Sequence, residues 1–257
     1  MLSRLTLTIP KTVLSVLGLL MQFGIADVWS APLTTIRNNG DSANRVDLAI
    51  RGDGYTSAEL TKYAADVEAF VQSMFAQQPF LEYQRYFNVH RIDVASNESG
   101  ADHPERNPAV FKDTALDAAY NCAAIQRLIC VNTSKVNSVL STSVPAEKRD
   151  AVLVIVNDPE YGGSGGFISV ASIHRDVVEL VLHEIGHSFG LLADEYGPPP
   201  PPACNSNIEP AEVNVTKETV RARIKWSPWI DAATQIPTIG ILPGVPGLYQ
   251  GAKYCDI

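Results

Sequence analysis

An α/β domain is predicted by three features of the sequence. Alternating or β-branched runs read as strands, amphipathic stretches read as helices, and together they fall in the order β-α-β-α-β-β-α. Residues 45–51 (RVDLAIR) alternate apolar and polar side chains, as a strand does. Gly52-Asp53-Gly54 reads as a turn. Thr56 and Glu59 then make a capping box. Leu60, Tyr63, Ala64, Val67, Phe70, Val71, Met74 and Phe75 follow at helical spacing, so a helix of about five turns is expected. Residues 87–95 (FNVHRIDVA) read as a second strand, and a mixed helical and loop region follows. Residues 151–157 (AVLVIVN) form an unbroken β-branched run, the pattern of a central strand covered on both faces. A glycine loop (161–166) leads to a short strand at 167–172 (FISVAS), and a helix runs from about Arg175 to Phe189. After Tyr196 the texture changes: Pro198 to Pro202 are consecutive, and the remainder lacks periodicity. The expectation is a twisted mixed sheet with backing helices in an upper half, about 35–190. An irregular lower half, about 191–257, completes a single domain spanning 31–257.

Composition narrows the functional classes. Of 257 residues, 46% are apolar and 19% charged, a globular balance that excludes a disordered scaffold. The net charge of −8, with no Lys/Arg cluster, excludes a basic nucleic-acid binder. One apolar stretch stands at the N-terminus. Arg4 and Lys11 precede an apolar run from Thr12 to Ile25, and small residues suit cleavage after Ala26 or Ser30. The run falls short of the roughly 20 residues a spanning helix needs. Residues 1–30 therefore read as a secretory signal peptide, and the mature chain as secreted (extracellular or periplasmic), with no stable membrane anchor. Cys122, Cys130, Cys204 and Cys255 suit that compartment, and as disulfides they allow three pairings. Cys122 with Cys130 would close a small loop, leaving Cys204 with Cys255 to staple the C-terminal segment.

The last predicted helix carries the chemistry. It contains H-E-x-x-H as His183, Glu184 and His187. Histidines four apart project from one helical face, one turn apart, and can bind a single zinc ion through neutral ring nitrogens. Glu184 lies about 100° round the helix, where it can act as base on a water at the metal without ligating it. Composition alone would produce such a motif roughly 0.005 times in a chain like this. Val177, Val178, Leu180, Val181, Leu182 and Ile185 flank it on nearly all sides and predict a buried helix. Gly186 suggests close approach of the sheet, and Gly190 a left-handed residue that ends the helix.

A catalytic zinc takes a third protein ligand. The position six past His187 is Ala193, which cannot ligate, and no Met follows Met74, so the metzincin pattern is excluded. Leu191, Leu192 and Ala193 offer no donor atom; Asp194 and Glu195 do. Asp194 is the first reached on the return from the helix end. Its neighbour Glu195 would point the other way in an extended segment. Asp194 is therefore assigned to zinc, and Glu195 to bracing the loop or an imidazole.

The stretches RVDLAIRGDGYTSAEL (45–60), FNVHRIDVASNESGADHP (87–104), VNDPEYGGSGG (156–166) and HEIGHSFGLLADEY (183–196) resemble the bacterial IgA peptidases, a family of secreted zinc metalloendopeptidases of the zincin type. The resemblance covers about 45–196. It implies a zincin-like fold, one catalytic Zn2+, a protein or peptide substrate, His183, His187 and Asp194 as ligands, and Glu184 as the base. It also implies a further Cys-rich stretch beyond GLYQGAKY (247–254), so the lower half is expected to be truncated at Ile257. The function expected is hydrolysis of peptide bonds by a zinc-activated water. The alternative is a catalytically impaired zincin scaffold that holds zinc and binds protein. Three smaller features complete the reading: residues 167–172 could pair with substrate backbone, Tyr196 could polarise its carbonyl, though a role in catalysis is the less favoured reading, and N-x-S/T sequons stand at Asn97, Asn132 and Asn214.

Overall fold

A computed structural model describes residues 31–195, 208–240 and 242–252. The signal segment, Tyr196, the proline run, Cys204 and Cys255 lie outside the described residues. Six strands form one mixed sheet: β1 (Leu33–Arg37), β2 (Val46–Asp53), β3 (Phe87–Ile92), β4 (Ala151–Val156), β5 (Gly163–Ser164) and β6 (Ser169–Ser172). Their spatial order is β1-β3-β2-β4-β6-β5. The four inner strands are parallel, and β1 and β5 run antiparallel at the edges. The described helices are α1 (Leu60–Met74), the single turn α2 (Phe80–Tyr83), α3 (Thr133–Ser143) and α4 (Val177–Ser188).

Alternation along the strands builds two apolar layers. Leu48, Ile50, Leu153 and Ile155 face α1 and α4, packing with Tyr63, Val67, Phe70, Val181 and Ile185. Ala49, Val152, Val154 and Val156 face the other way, against Val136 and Leu140 of α3 and against Leu116, Tyr120 and Ile129. Strand β4 is thus covered on both faces, as its unbroken apolar run requires. The helix α1 begins at the expected box, where the Thr56 N–H donates to Glu59 Oε2 at 2.9 Å. Cys122 and Cys130 form a disulfide.

Four expectations are corrected. Gly52 and Asp53 continue β2 by pairing with Ile155 and Val156, so the turn starts only at Gly54, with φ +71°. Strand β1, absent from the sequence reading, adds to the sheet edge by pairing with β3. The helix α4 buries one face, Val177, Val181 and Ile185, and leaves Glu179 and His183 exposed, so it is amphipathic and not buried all round. Strand β6 offers substrate no free edge at Val170 and Ala171. It lies between β4 and β5, and Gly163 of β5 in turn exchanges hydrogen bonds with Arg127 and Ile129.

Residues 208–240 and 242–252 contain short 3-10 turns and no strand or α-helix. A small cluster of Ile224, Ile230 and Leu248, with Trp226 and Ile236 against it, holds them together. No described helix is long and apolar enough to cross a membrane.

Candidate metal centre

The site is built on the C-terminal half of α4 and on the chain that returns from it. The i, i+4 spacing brings the two imidazoles together, with His183 Nε2 and His187 Nε2 3.0 Å apart. Asp194 Oδ1 stands 3.1 Å from the first and 3.4 Å from the second. A tetrahedral ion with ligand bonds of about 2.0–2.1 Å sets its donors about 3.3 Å apart, and this triangle matches that spacing. Two nitrogens and a carboxylate oxygen are also the donor set such an ion takes. The imidazoles are partly exposed, at 39% and 28%, while the Asp194 side chain is 12% exposed, so the triangle opens outward from a closed base.

The return segment is held by hydrogen bonds at Gly190, Leu191, Leu192 and Ala193. Gly190 N–H donates to Ile185 O, and Leu192 N–H to Gly186 O at 3.0 Å. His187 Nδ1 lies 2.7 Å from Leu192 O. A carbonyl can only accept, so the proton sits on Nδ1, and Nε2 keeps its lone pair for an ion. The left-handed residue that turns the chain is Leu191, with φ +52°, and not Gly190. Glycine at 190 answers a steric demand, since a Cβ there would stand 2.7 Å from Gly186 O. Gly186 itself meets only Leu192, at ordinary contact distance, and not the sheet.

Glu184 lies about 100° round the helix from His183 and reaches the glycine loop. A Cβ on Gly165 would fall 1.7 Å from Glu184 Oε2, and one on Gly163 would fall 2.8 Å from Leu180 Cδ2. Residues two apart on a strand span nearly the same distance as residues four apart on a helix. The two glycines therefore form one smooth strip against Leu180 and Glu184. Burial raises the Glu184 carboxyl above its ordinary value, and the two imidazoles oppose that rise. An acid–base group beside an open triangle of donors can move protons for a reaction there.

The structure thus brings together His183, His187 and Asp194, with Glu184 on the neighbouring face. Glu195 lies elsewhere: its Oε1 accepts from Asn214 Nδ2 at 3.1 Å. Asn214 also receives the Ala193 N–H and donates to the Ala193 carbonyl, both at 2.8 Å. Neither Asn214 nor Gly165 stood out in the sequence for these contacts. Asn214 is remote in the chain, and the glycine run reads as an ordinary turn. A second group of possible ligands is formed by His103, Glu105 and Glu160. There His103 Nδ1 meets Glu105 and Nε2 meets Asp158, each at 2.9 Å, and Arg106 pairs with Glu160. With both ring nitrogens engaged by carboxylates, this cluster holds the 103–106 loop against residues 158–160.

A comparison with curated proteins returns no match. The sequence profile described as IgA Peptidase M64 matches residues 34–240, which takes in the described strands except Leu33 of β1, the described helices and the whole candidate centre. A family of metallopeptidases implies a metal cofactor and a protein or peptide substrate, and a donor triangle beside a carboxylate suits both. The chain belongs to the IgA peptidase M64 family.

Proposed function

We propose that this chain is a secreted zinc-dependent endopeptidase of the zincin type, with residues 1–30 as its signal peptide and 31–257 as one catalytic domain. His183, His187 and Asp194 hold one zinc ion, and Glu184 is the general base. The observation that carries the reading is the donor triangle, with edges of 3.0, 3.1 and 3.4 Å, beside a half-buried carboxylate. Bound zinc supplies Lewis acidity, which makes water acidic near neutral pH and polarises a carbonyl. The chain's own residues do the rest. Glu184 takes a proton from the attacking water as its oxygen bonds to the scissile carbonyl carbon. It then delivers that proton to the departing amine nitrogen as the C–N bond breaks. The Leu192 carbonyl keeps the His187 ring turned toward the ion. The partial exposure of both imidazoles leaves an extended peptide room to reach the ion.

Glu184→Ala tests the mechanism. It should keep the zinc and lower casein hydrolysis by about 100-fold to 10,000-fold, the usual contribution of a general base. Wild-type hydrolysis by that variant would sink the assignment. The family's name makes immunoglobulin A the next substrate to assay beside casein.

A further inference from the structure

The segment that carries Asp194 has no secondary structure of its own, yet its carboxylate must hold a fixed place beside two imidazoles. Four residues beyond Gly190, a free chain would sample many backbone conformations. Backbone groups of Gly190, Leu191 and Leu192 are tied to α4 or to Val213. Ala193 is tied by a single side chain. Its N–H donates to Asn214 Oδ1 and its carbonyl accepts from Asn214 Nδ2, both at 2.8 Å. The Ala193 carbonyl belongs to the planar peptide that ends at the Asp194 Cα. Fixing both groups of Ala193 therefore fixes the peptide plane that ends at the Asp194 Cα, leaving the side chain only rotation about φ and its own rotamers. The second hydrogen of the same amide reaches Glu195 Oε1 at 3.1 Å, so the Asn214 donors are all used. Asn214 lies in the irregular 208–240 segment, 20 residues beyond Asp194.

We propose that Asn214 is a positioning residue for the metal centre: its amide clips the Ala193 backbone and so sets Asp194 against His183 and His187. The inference rests on the reading of those three residues as ligands. It gives the irregular C-terminal segment a defined task, since that segment supplies the amide that completes the third ligand's support. Groups that orient a metal ligand typically contribute about tenfold to 100-fold in affinity.

The test is zinc affinity of the full chain, measured by titrating apo-protein against a competing chelator. The set comprises wild type, Asn214→Ala, Asn214→Asp, Asp194→Ala and the double variant Asn214→Ala/Asp194→Ala. Asn214→Ala should bind zinc about tenfold to 100-fold more weakly than wild type. Asn214→Asp has the same shape and preserves packing, but sets an oxygen against the Ala193 carbonyl, so it too should bind more weakly. In the Asp194→Ala background, Asn214→Ala should bring no further loss, because the group it positions is gone. Cobalt loaded in place of zinc gives a second readout: the visible bands of Asn214→Asp should shift toward those of Asp194→Ala. Wild-type affinity in both Asn214 variants, with Asp194→Ala weakened, would overturn the inference and leave the ligand assignment standing. An equal loss in both backgrounds would also overturn it, as a general effect on the fold. Wild-type affinity in Asp194→Ala would remove the ligand assignment itself, and the inference with it.

Discussion

At the scale of single residues, the arrangement depends on one side chain that is absent. Gly165 brings its backbone against the Glu184 carboxylate, where a Cβ would come within 1.7 Å of Oε2. Gly165→Ala must therefore push the carboxylate aside or displace the loop. A displacement near 1 Å at a reacting group costs about 100-fold in rate. The expected outcome is a fall of that size in kcat with zinc affinity close to wild type, since Gly165 touches Glu184 and none of the three donors. Equal losses in rate and zinc affinity would show that the substitution disturbs the whole helix. His183, Glu184 and His187 are legible in the sequence because one helix fixes their spacing. Gly165 and Asn214 are not, because their partners lie 19 and 21 residues away and only the folded chain joins them.

At the scale of elements, the end of β2 is anchored by a buried carboxylate. Asp53 accepts from the Thr114 hydroxyl and the Leu116 N–H at 2.8 Å, and from the Ala118 N–H at 2.9 Å. Burial raises its carboxyl above the ordinary value, and these hydrogen bonds oppose the rise. The same carboxylate reaches Ser96, so it binds the 96–118 loop to the sheet. Asp53→Ala would leave two buried backbone N–H groups unpaired, a loss of about 2–4 kcal/mol. The urea midpoint should fall accordingly; an unchanged midpoint would show that the loop is held by its apolar contacts alone. The helix α1 is legible because its apolar residues follow a period of 3.6, β2 because its side chains alternate, and β4 because an unbroken β-branched run fits a strand covered on both faces. Strand β1 is not, for LTTIR has one strongly apolar residue at each end of two threonines and gains its place by pairing with β3. The Gly52-Asp53 turn misleads for a related reason: pairing with β4 outweighs the local preference of glycine and aspartate for turns.

A second element-scale prediction concerns the seat of α4. Ile185 is buried between the helix and the sheet layer that holds Leu153 and Ile155. Ile185→Ala should reduce stability by about 3 kcal/mol, within the range for such truncations. Thermal unfolding checks it, and a shift near zero would mean that α4 is not held by this face. The sequence overstates the burial of this helix because Val178, Leu180 and Leu182 are apolar but only partly covered. One face of the helix stays open, and it is the face that carries His183.

At the scale of the whole molecule, the sheet and its two apolar layers form a platform, and the candidate centre lies where that platform meets the irregular C-terminal segment. The platform sets the helix. The return segment brings Asp194 back to it, and Asn214 ties the return to residues beyond 208. The central claim is that this assembly hydrolyses peptide bonds with one zinc ion. The most direct measurement is a zinc titration of chelator-stripped full chain, with cleavage of casein followed at each addition. The account predicts no cleavage by the stripped protein and a rise in rate that levels off at one zinc per chain. Undiminished cleavage after stripping, or zinc bound at one equivalent with no cleavage of casein or immunoglobulin A, would contradict it.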